Sequence, residues 1–74
     1  MNLLSIGGSD PSSGAGIQSD IKTFSSFNVY CLTIITAITS QNTSSFGMIE
    51  PVSQKIQKNQ LDSVISDFKI DGIK

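Results

Sequence analysis

Residues 29–38 form an almost unbroken run of apolar and β-branched side chains, and this run restricts the possible fold more than any other segment. A strand of that composition has to be covered on both faces, which is typical of an interior strand in a parallel sheet. Parallel strands are joined by a crossover connection, usually a helix. The run therefore predicts an α/β protein.

A strand and a helix are predicted ahead of this run. Residues 3–7 are mostly apolar and lead into a cluster of turn-forming residues at 7–14, so we expect a strand followed by a loop. A helix is predicted over residues 14–27, with Ser12 or Ser13 as its N-cap. Its apolar face, defined by the i, i+4, i+7 spacing, comprises Ile17, Ile21 and Phe24. Strand, helix and strand form a βαβ unit.

The remainder of the chain predicts one more helix and the start of another strand. Residues 39–45 read as a polar loop, 46–52 as a short strand or extended segment, and 53–68 as a helix. The apolar stripe of that helix comprises Leu61, Val64, Ile65 and Phe68. A third βα step begins at residues 70–74 and is not completed. We therefore expect residues 1–74 to be the amino-terminal part of a single domain that is incomplete at its carboxyl end.

Charge and cysteine content exclude several classes of function. Five lysines against six carboxylates give a net charge of −1, with no arginine and no histidine, so neither a nucleic-acid nor a membrane partner is expected. Cys31 cannot form an internal disulfide and is expected to be a buried, inert thiol. The apolar start is too short for a signal peptide or a membrane span, so we expect a cytoplasmic protein.

The glycine-rich turn between the first strand and the helix is one candidate site. Glycine lets backbone approach a ligand closely, and a helix start offers unpaired N–H groups. The turn is not a Walker A loop, because the first lysine is Lys22, and Ser19 stands where a dinucleotide fingerprint needs its third glycine. A nicotinamide-dinucleotide domain is thus a weak alternative. On spacing alone, a tight turn that binds no ligand is as well supported as a ligand site.

Gln41 and Asp20 are the candidate polar side chains. Gln41 follows the buried strand, where ligands collect in parallel α/β sheets, and its amide suits a ring nitrogen beside an exocyclic amine. The alternative is a polar loop cap. Asp20 lies in the first turns of the helix and is either a solvated carboxylate or an acceptor for a ligand's amino or hydroxyl protons.

Three blocks of the sequence resemble one enzyme family from end to end and in one register. They are IGGSDPSSGAGIQSDIKTF at residues 6–24, ITAITSQNT at 35–43 and QLDSVISD at 60–67. Together they resemble hydroxymethylpyrimidine/phosphomethylpyrimidine kinase of thiamine biosynthesis. The chain departs from that family at Ser13, where a second consecutive glycine is usual, and at Ser40, where an alanine is usual.

The resemblance implies a ribokinase-like fold, a mostly parallel sheet flanked by helices, with only its first βα units in this chain. It implies ATP-dependent phosphorylation of 4-amino-5-hydroxymethyl-2-methylpyrimidine and its monophosphate. Gln41 and Asp20 would bind the aminopyrimidine, and Gly8 and Ala15 would shape the pocket. The catalytic residues and most of the ATP and Mg²⁺ sites would lie outside this chain, which by itself would be inactive.

Two alternatives stay open beside this family assignment. One is a fragment of a related pyridoxal kinase, which would have another pocket residue in place of Gln41. The other is a non-catalytic pyrimidine-binding module or remnant. Kinases of this family are often dimers, so a homodimer of the full-length enzyme is implied only by the resemblance.

Overall fold

The computed structural model describes residues 1–74, which form a four-stranded sheet with two helices. The elements are β1 (Asn2–Ser9), α1 (Gly16–Ser26), β2 (Tyr30–Gln41), β3 (Phe46–Pro51), α2 (Gln54–Asp67) and β4 (Gly72–Ile73). The strand order is β3-β2-β1-β4. β1 runs parallel to both β2 and β4, and β3 is antiparallel to β2. The predicted α/β class and the mostly parallel sheet are confirmed.

The two helices cover opposite faces of the sheet, because successive side chains of a strand point to opposite sides. Ser5 on β1 contacts Asp20 of α1, whereas its neighbour Leu4 belongs to the apolar cluster beneath α2. That cluster comprises Leu4, Leu32 and Ile34, with Val64, Phe68 and Ile70 packed against it. The βαβ unit and the second helix are thereby arranged as three layers.

The second helix confirms the prediction to within one residue at each end. Ser53 caps it by accepting a hydrogen bond from the Ile56 N–H at 3.2 Å. Val64 and Phe68 face the core as expected, but Ile65 is 52% exposed. The new strand predicted near the end of the chain is also present, as β4. Neither helix is long and apolar enough to cross a membrane.

Both β1 and β2 extend further toward their carboxyl ends than the sequence predicts. β1 continues to Ser9, so Gly7 and Gly8 are strand residues. β2 continues to Gln41, and the loop predicted from residue 39 is wrong for its first three positions. The cause is tertiary: β3 folds back along this end of β2 and pairs with its backbone, whatever the polarity of the side chains. We call residues 39–41 with β3 the ribbon.

Several aromatic side chains are exposed and do not join the core. Phe27 is 74% exposed, and Tyr30 and Phe46 are each 59% exposed. Only six of the 74 residues are buried, because the sheet carries a single helix on each face. Tyr30 instead stacks on Phe68, with ring centroids 5.8 Å apart.

Candidate functional site at the end of β1 and β2

The buried carboxylate of Asp10 organises the glycine-rich turn. Asp10 is 3% exposed. One carboxylate oxygen accepts hydrogen bonds from the Ser12 hydroxyl at 2.7 Å and the Ser12 N–H at 2.9 Å, and the other accepts from the Ala15 N–H at 2.8 Å. The Ser12 hydroxyl, followed by these backbone N–H groups, holds the pKa of Asp10 below its usual value, because all of them favour the charged form.

The predicted serine N-caps of α1 are wrong. The N-cap is Ala15, whose side chain has no group to cap with, and the helix starts without a side-chain cap. The Ser12 hydroxyl donates its hydrogen bond to Asp10 and so cannot cap the helix. Ser13 has a φ of 65°, in the left-handed region. The Ser12 N–H, two residues after Asp10, donates to the Asp10 carboxylate and so forms an Asx turn, a more specific structure than the loop that the sequence predicts.

Gly8 lies against the start of α1, close to Ala15. Gly16, the first residue of the helix, has a φ of 64°, and a Cβ at this position would collide with the carbonyl oxygen of Gly8. On the β2 side, a Cβ on Gly8 would lie 3.6 Å from the Ala37 carbonyl oxygen. Glycine at 16 therefore lets the helix start approach the backbone of β1, which places the exposed Ala15 at the sheet edge, whereas a Cβ on Gly8 would make only an ordinary contact.

Gln41 is connected to this turn by a continuous series of hydrogen bonds. Its Nε2 donates to Thr39 Oγ1 at 2.7 Å, and the Thr39 hydroxyl donates to the Ser9 carbonyl oxygen at 2.7 Å. The Ser9 hydroxyl accepts from Gln18 Nε2 at 2.7 Å, and Gln18 Oε1 accepts from the Asp10 N–H at 2.9 Å. The structure therefore brings Gln41, Gly8 and Ala15 to one edge of the sheet.

Sequence reasoning missed Ser9, Gln18 and Thr39, the residues that make this connection. Thr39 was assigned to a loop and the other two were not singled out. The available signal was topological, since residues that end adjacent parallel strands must meet at one edge.

Asp20 lies away from this edge, on α1 beside the middle of β1. Its carboxylate accepts from the Ser5 hydroxyl at 2.6 Å and from Lys74 Nζ. Lys74 and then Ser5 lower its pKa, because both favour the carboxylate. Ser5 pairs with Thr33, which precedes Gln41 by eight residues, or roughly 26 Å of extended strand. These contacts tie α1 to β1 and β4.

The edge is open. No cavity is detected there, and the chain has no group of three or more His, Cys, Asp or Glu side chains that could hold a metal ion. Cys31 is half-buried, and burial raises the pKa of its thiol.

The fold matches solved structures of ribokinase-like small-molecule kinases. Phosphomethylpyrimidine kinase from Clostridium difficile superimposes with a TM-score of 0.94 at 44% identity, covering 99% of this chain and 34% of that one. The Staphylococcus aureus pyridoxal kinase in complex with AMP-PCP and pyridoxal gives a TM-score of 0.85 at 33% identity, covering 97% of this chain and 27% of that one. The fold is thus that of the ribokinase-like kinases, represented by its first βα units.

Sequence comparison narrows the class to one family. The phosphomethylpyrimidine kinase family model matches residues 10–74. The Rhizobium meliloti hydroxymethylpyrimidine/phosphomethylpyrimidine kinase is 51% identical over 71 residues, which cover 96% of this chain and 27% of that protein. The Escherichia coli enzyme of the same name is 46% identical over the whole chain and 28% of its own length. This chain belongs to the phosphomethylpyrimidine kinase family, and it spans little more than a quarter of these relatives.

Proposed function

We propose that residues 1–74 supply part of the aminopyrimidine pocket of a single kinase domain. That domain would phosphorylate 4-amino-5-hydroxymethyl-2-methylpyrimidine, and then its monophosphate, with ATP in thiamine diphosphate biosynthesis. The observation that carries the proposal is the hydrogen-bonded connection from Gln41 to the glycine-rich turn at one sheet edge. These hydrogen bonds hold the Gln41 amide at a fixed position relative to the backbone of the glycine-rich turn, and a planar ligand would contact both.

The four proposed pocket residues differ in how directly the geometry supports them. Gln41 provides a polar amide. Beside it, Ala15 is exposed, and the backbone of Gly8 lies against the start of α1. Asp20 is engaged by Ser5 and Lys74, which supports a role in holding α1 in place. Its direct contact with the pyrimidine rests on the family resemblance alone.

The rest of the active site belongs to the part of the kinase domain that this chain does not contain. On the family resemblance, we place the catalytic residues and most of the ATP and Mg²⁺ sites there. The small net charge of −1 favours a small-molecule substrate over a nucleic acid. On the family resemblance, we also propose that the full-length enzyme is a homodimer located in the cytoplasm.

The test uses a chimera in which residues 1–74 replace the matching segment of the R. meliloti kinase. In the chimera, Gln41→Ala should raise the KM for the aminopyrimidine at least several-fold. The reason is that each ligand group left without a hydrogen-bond partner costs about 1–3 kcal/mol. The KM for ATP should not change. The matched control is Gln54→Ala, at an exposed glutamine at the start of α2.

Steady-state kinetics of the chimera and its variants separates the candidate functions. Unchanged pyrimidine KM in Gln41→Ala, with fold and ATP affinity intact, would return Gln41 to a loop-capping role. Pyridoxal turned over in preference to the aminopyrimidine would favour a pyridoxal kinase. The isolated 74-residue chain should show no turnover. Tight pyrimidine binding by that chain would instead favour a non-catalytic binding module.

A further inference from the structure

The Thr39 hydroxyl has one proton, and the structure determines where that proton goes. The backbone carbonyl oxygen of Ser9 can only accept a hydrogen bond, so the contact of 2.7 Å between them requires Thr39 to donate. Toward Gln41, the Thr39 oxygen can then act only as an acceptor. The group of Gln41 that lies 2.7 Å from it must be the amide nitrogen.

The Gln41 amide is therefore held in one of its two possible orientations. A glutamine side chain free to rotate by 180° presents either its oxygen or its nitrogen to a given point in space. Here Nε2 donates one of its two protons to the Thr39 oxygen. Oε1 and the second Nε2 proton remain for a ligand.

We propose that Thr39 is a positioning residue that selects aminopyrimidines over oxopyrimidines by fixing the orientation of the Gln41 amide. The inference rests on the proposed contact between Gln41 and the pyrimidine. A 4-aminopyrimidine presents an amine donor beside a ring-nitrogen acceptor, which matches Oε1 and the free N–H. The 4-oxo form has nearly the same shape but presents a carbonyl acceptor beside a ring N–H donor.

An oxopyrimidine would place its acceptor against Oε1 and its donor against the amide N–H. Without Thr39, rotation of the amide would repair both contacts, and the site would accept either ring. With Thr39, rotation would turn Oε1 toward a hydroxyl oxygen whose proton is already given to Ser9. The two acceptors would then face each other, and the hydrogen bond would be lost.

The test measures two dissociation constants by calorimetry on the chimera. The probes are 4-amino-5-hydroxymethyl-2-methylpyrimidine and its 4-oxo counterpart. The unmodified chimera should prefer the amino form by about a hundredfold or more, as expected of a site that leaves polar groups unpaired with the wrong ligand. Thr39→Val removes the hydroxyl at nearly constant shape and should reduce that preference by about tenfold. Thr39→Ser should restore it, and Thr33→Val, six residues earlier on β2, should not change it.

A purely structural Thr39 would weaken both ligands equally, so the ratio of the two constants is the decisive quantity. An unchanged ratio in Thr39→Val, with Gln41→Ala still weakening pyrimidine binding, overturns this inference and leaves the proposed function intact. Equal pyrimidine binding by Gln41→Ala and the unmodified chimera overturns both.

A second measurement applies if Thr39→Val fails to fold. In the ligand-free chimera, one Gln41 side-chain amide proton should exchange with solvent several-fold more slowly than those of exposed Gln54, as followed by nitrogen-edited NMR. Equal exchange rates at the two glutamines overturn the inference.

Discussion

The side-chain amide of Gln60 pairs with both backbone polar groups of Ile35. The Ile35 N–H donates to Oε1, and Nε2 donates to the Ile35 carbonyl oxygen, each at 3.0 Å. Ile35 lies on β2 just before β3 begins to pair at Ala37. A helix side chain thus takes the place of a neighbouring strand along an edge that would otherwise be open.

Replacing Gln60 with leucine should lower the free energy of unfolding of the chimera by about 1–2 kcal/mol. The reason is that a half-buried N–H and carbonyl of Ile35 lose their partners. Urea denaturation measures the change. Gln54→Leu, at an exposed position of the same helix, should have little effect, and an equal loss in the two variants would contradict the role given to Gln60.

Gly16→Ala should destabilise the protein by about 2–4 kcal/mol, because the new methyl group would meet the Gly8 carbonyl oxygen and a φ of 64° is strained for alanine. Gly14→Ala is the matched control, since its Cβ would approach nothing closer than an Asp10 carboxylate oxygen at 3.7 Å. Thermal unfolding distinguishes them. Equal midpoints would mean that the helix start can move away from β1 at little cost.

Ser13→Gly should stabilise the turn by up to about 1 kcal/mol. Ser13 has a φ of 65°, which costs an L-residue about 1–2 kcal/mol, and glycine recovers this less its own loss of chain entropy. Ser12→Gly should destabilise instead, because it removes the hydroxyl that donates to Asp10 and leaves only the backbone N–H donor. A lower unfolding midpoint for Ser13→Gly would show that its hydroxyl has a compensating role.

Asp10 should make the protein acid-sensitive. Its pKa is lowered in the folded state by the Ser12 hydroxyl and by backbone N–H groups, so the stabilisation is present above the unfolded value, about 3.9, and is lost as pH falls through the folded pKa. Unfolding midpoints measured from neutral pH down to pH 2 should therefore fall less steeply in Asp10→Asn than in the unmodified chimera. Parallel pH profiles would show that Asp10 carries the same charge in both states.

Local spacing was sufficient for the elements whose apolar residues pack against the sheet. Val64 and Phe68 of α2 and the run that became β2 were predicted correctly because burial itself creates the pattern. The end of β2 was not predicted, because Thr39, Ser40 and Gln41 owe their strand conformation to pairing with β3, which no local pattern encodes.

The candidate site was predictable only as a location. The carboxyl ends of parallel strands meet at one edge, so the glycine-rich turn and Gln41 could be placed together from the sequence. The side chains between them could not, because the bonds from Thr39 to Ser9 and from Gln18 to Asp10 depend on rotamers and on distances set by the finished fold. Asp20 follows the same rule: its partner Lys74 is 54 residues away in sequence.

The ribbon extends past the last β1 pairing at Ile38, and a two-stranded ribbon is marginally stable on its own. The Thr39–Ser9 hydrogen bond fastens it to the rest of the sheet, and Gln41 is at its tip. Under the proposed function, ligand binding at Gln41 and ordering of the ribbon would be linked equilibria. A partner that ordered the exposed β3 edge would then raise the affinity for the ligand, and the ligand would raise the affinity for that partner by the same factor. Protection of the β3 amides from hydrogen exchange, compared with and without the aminopyrimidine, would measure how far the ligand stabilises the ribbon.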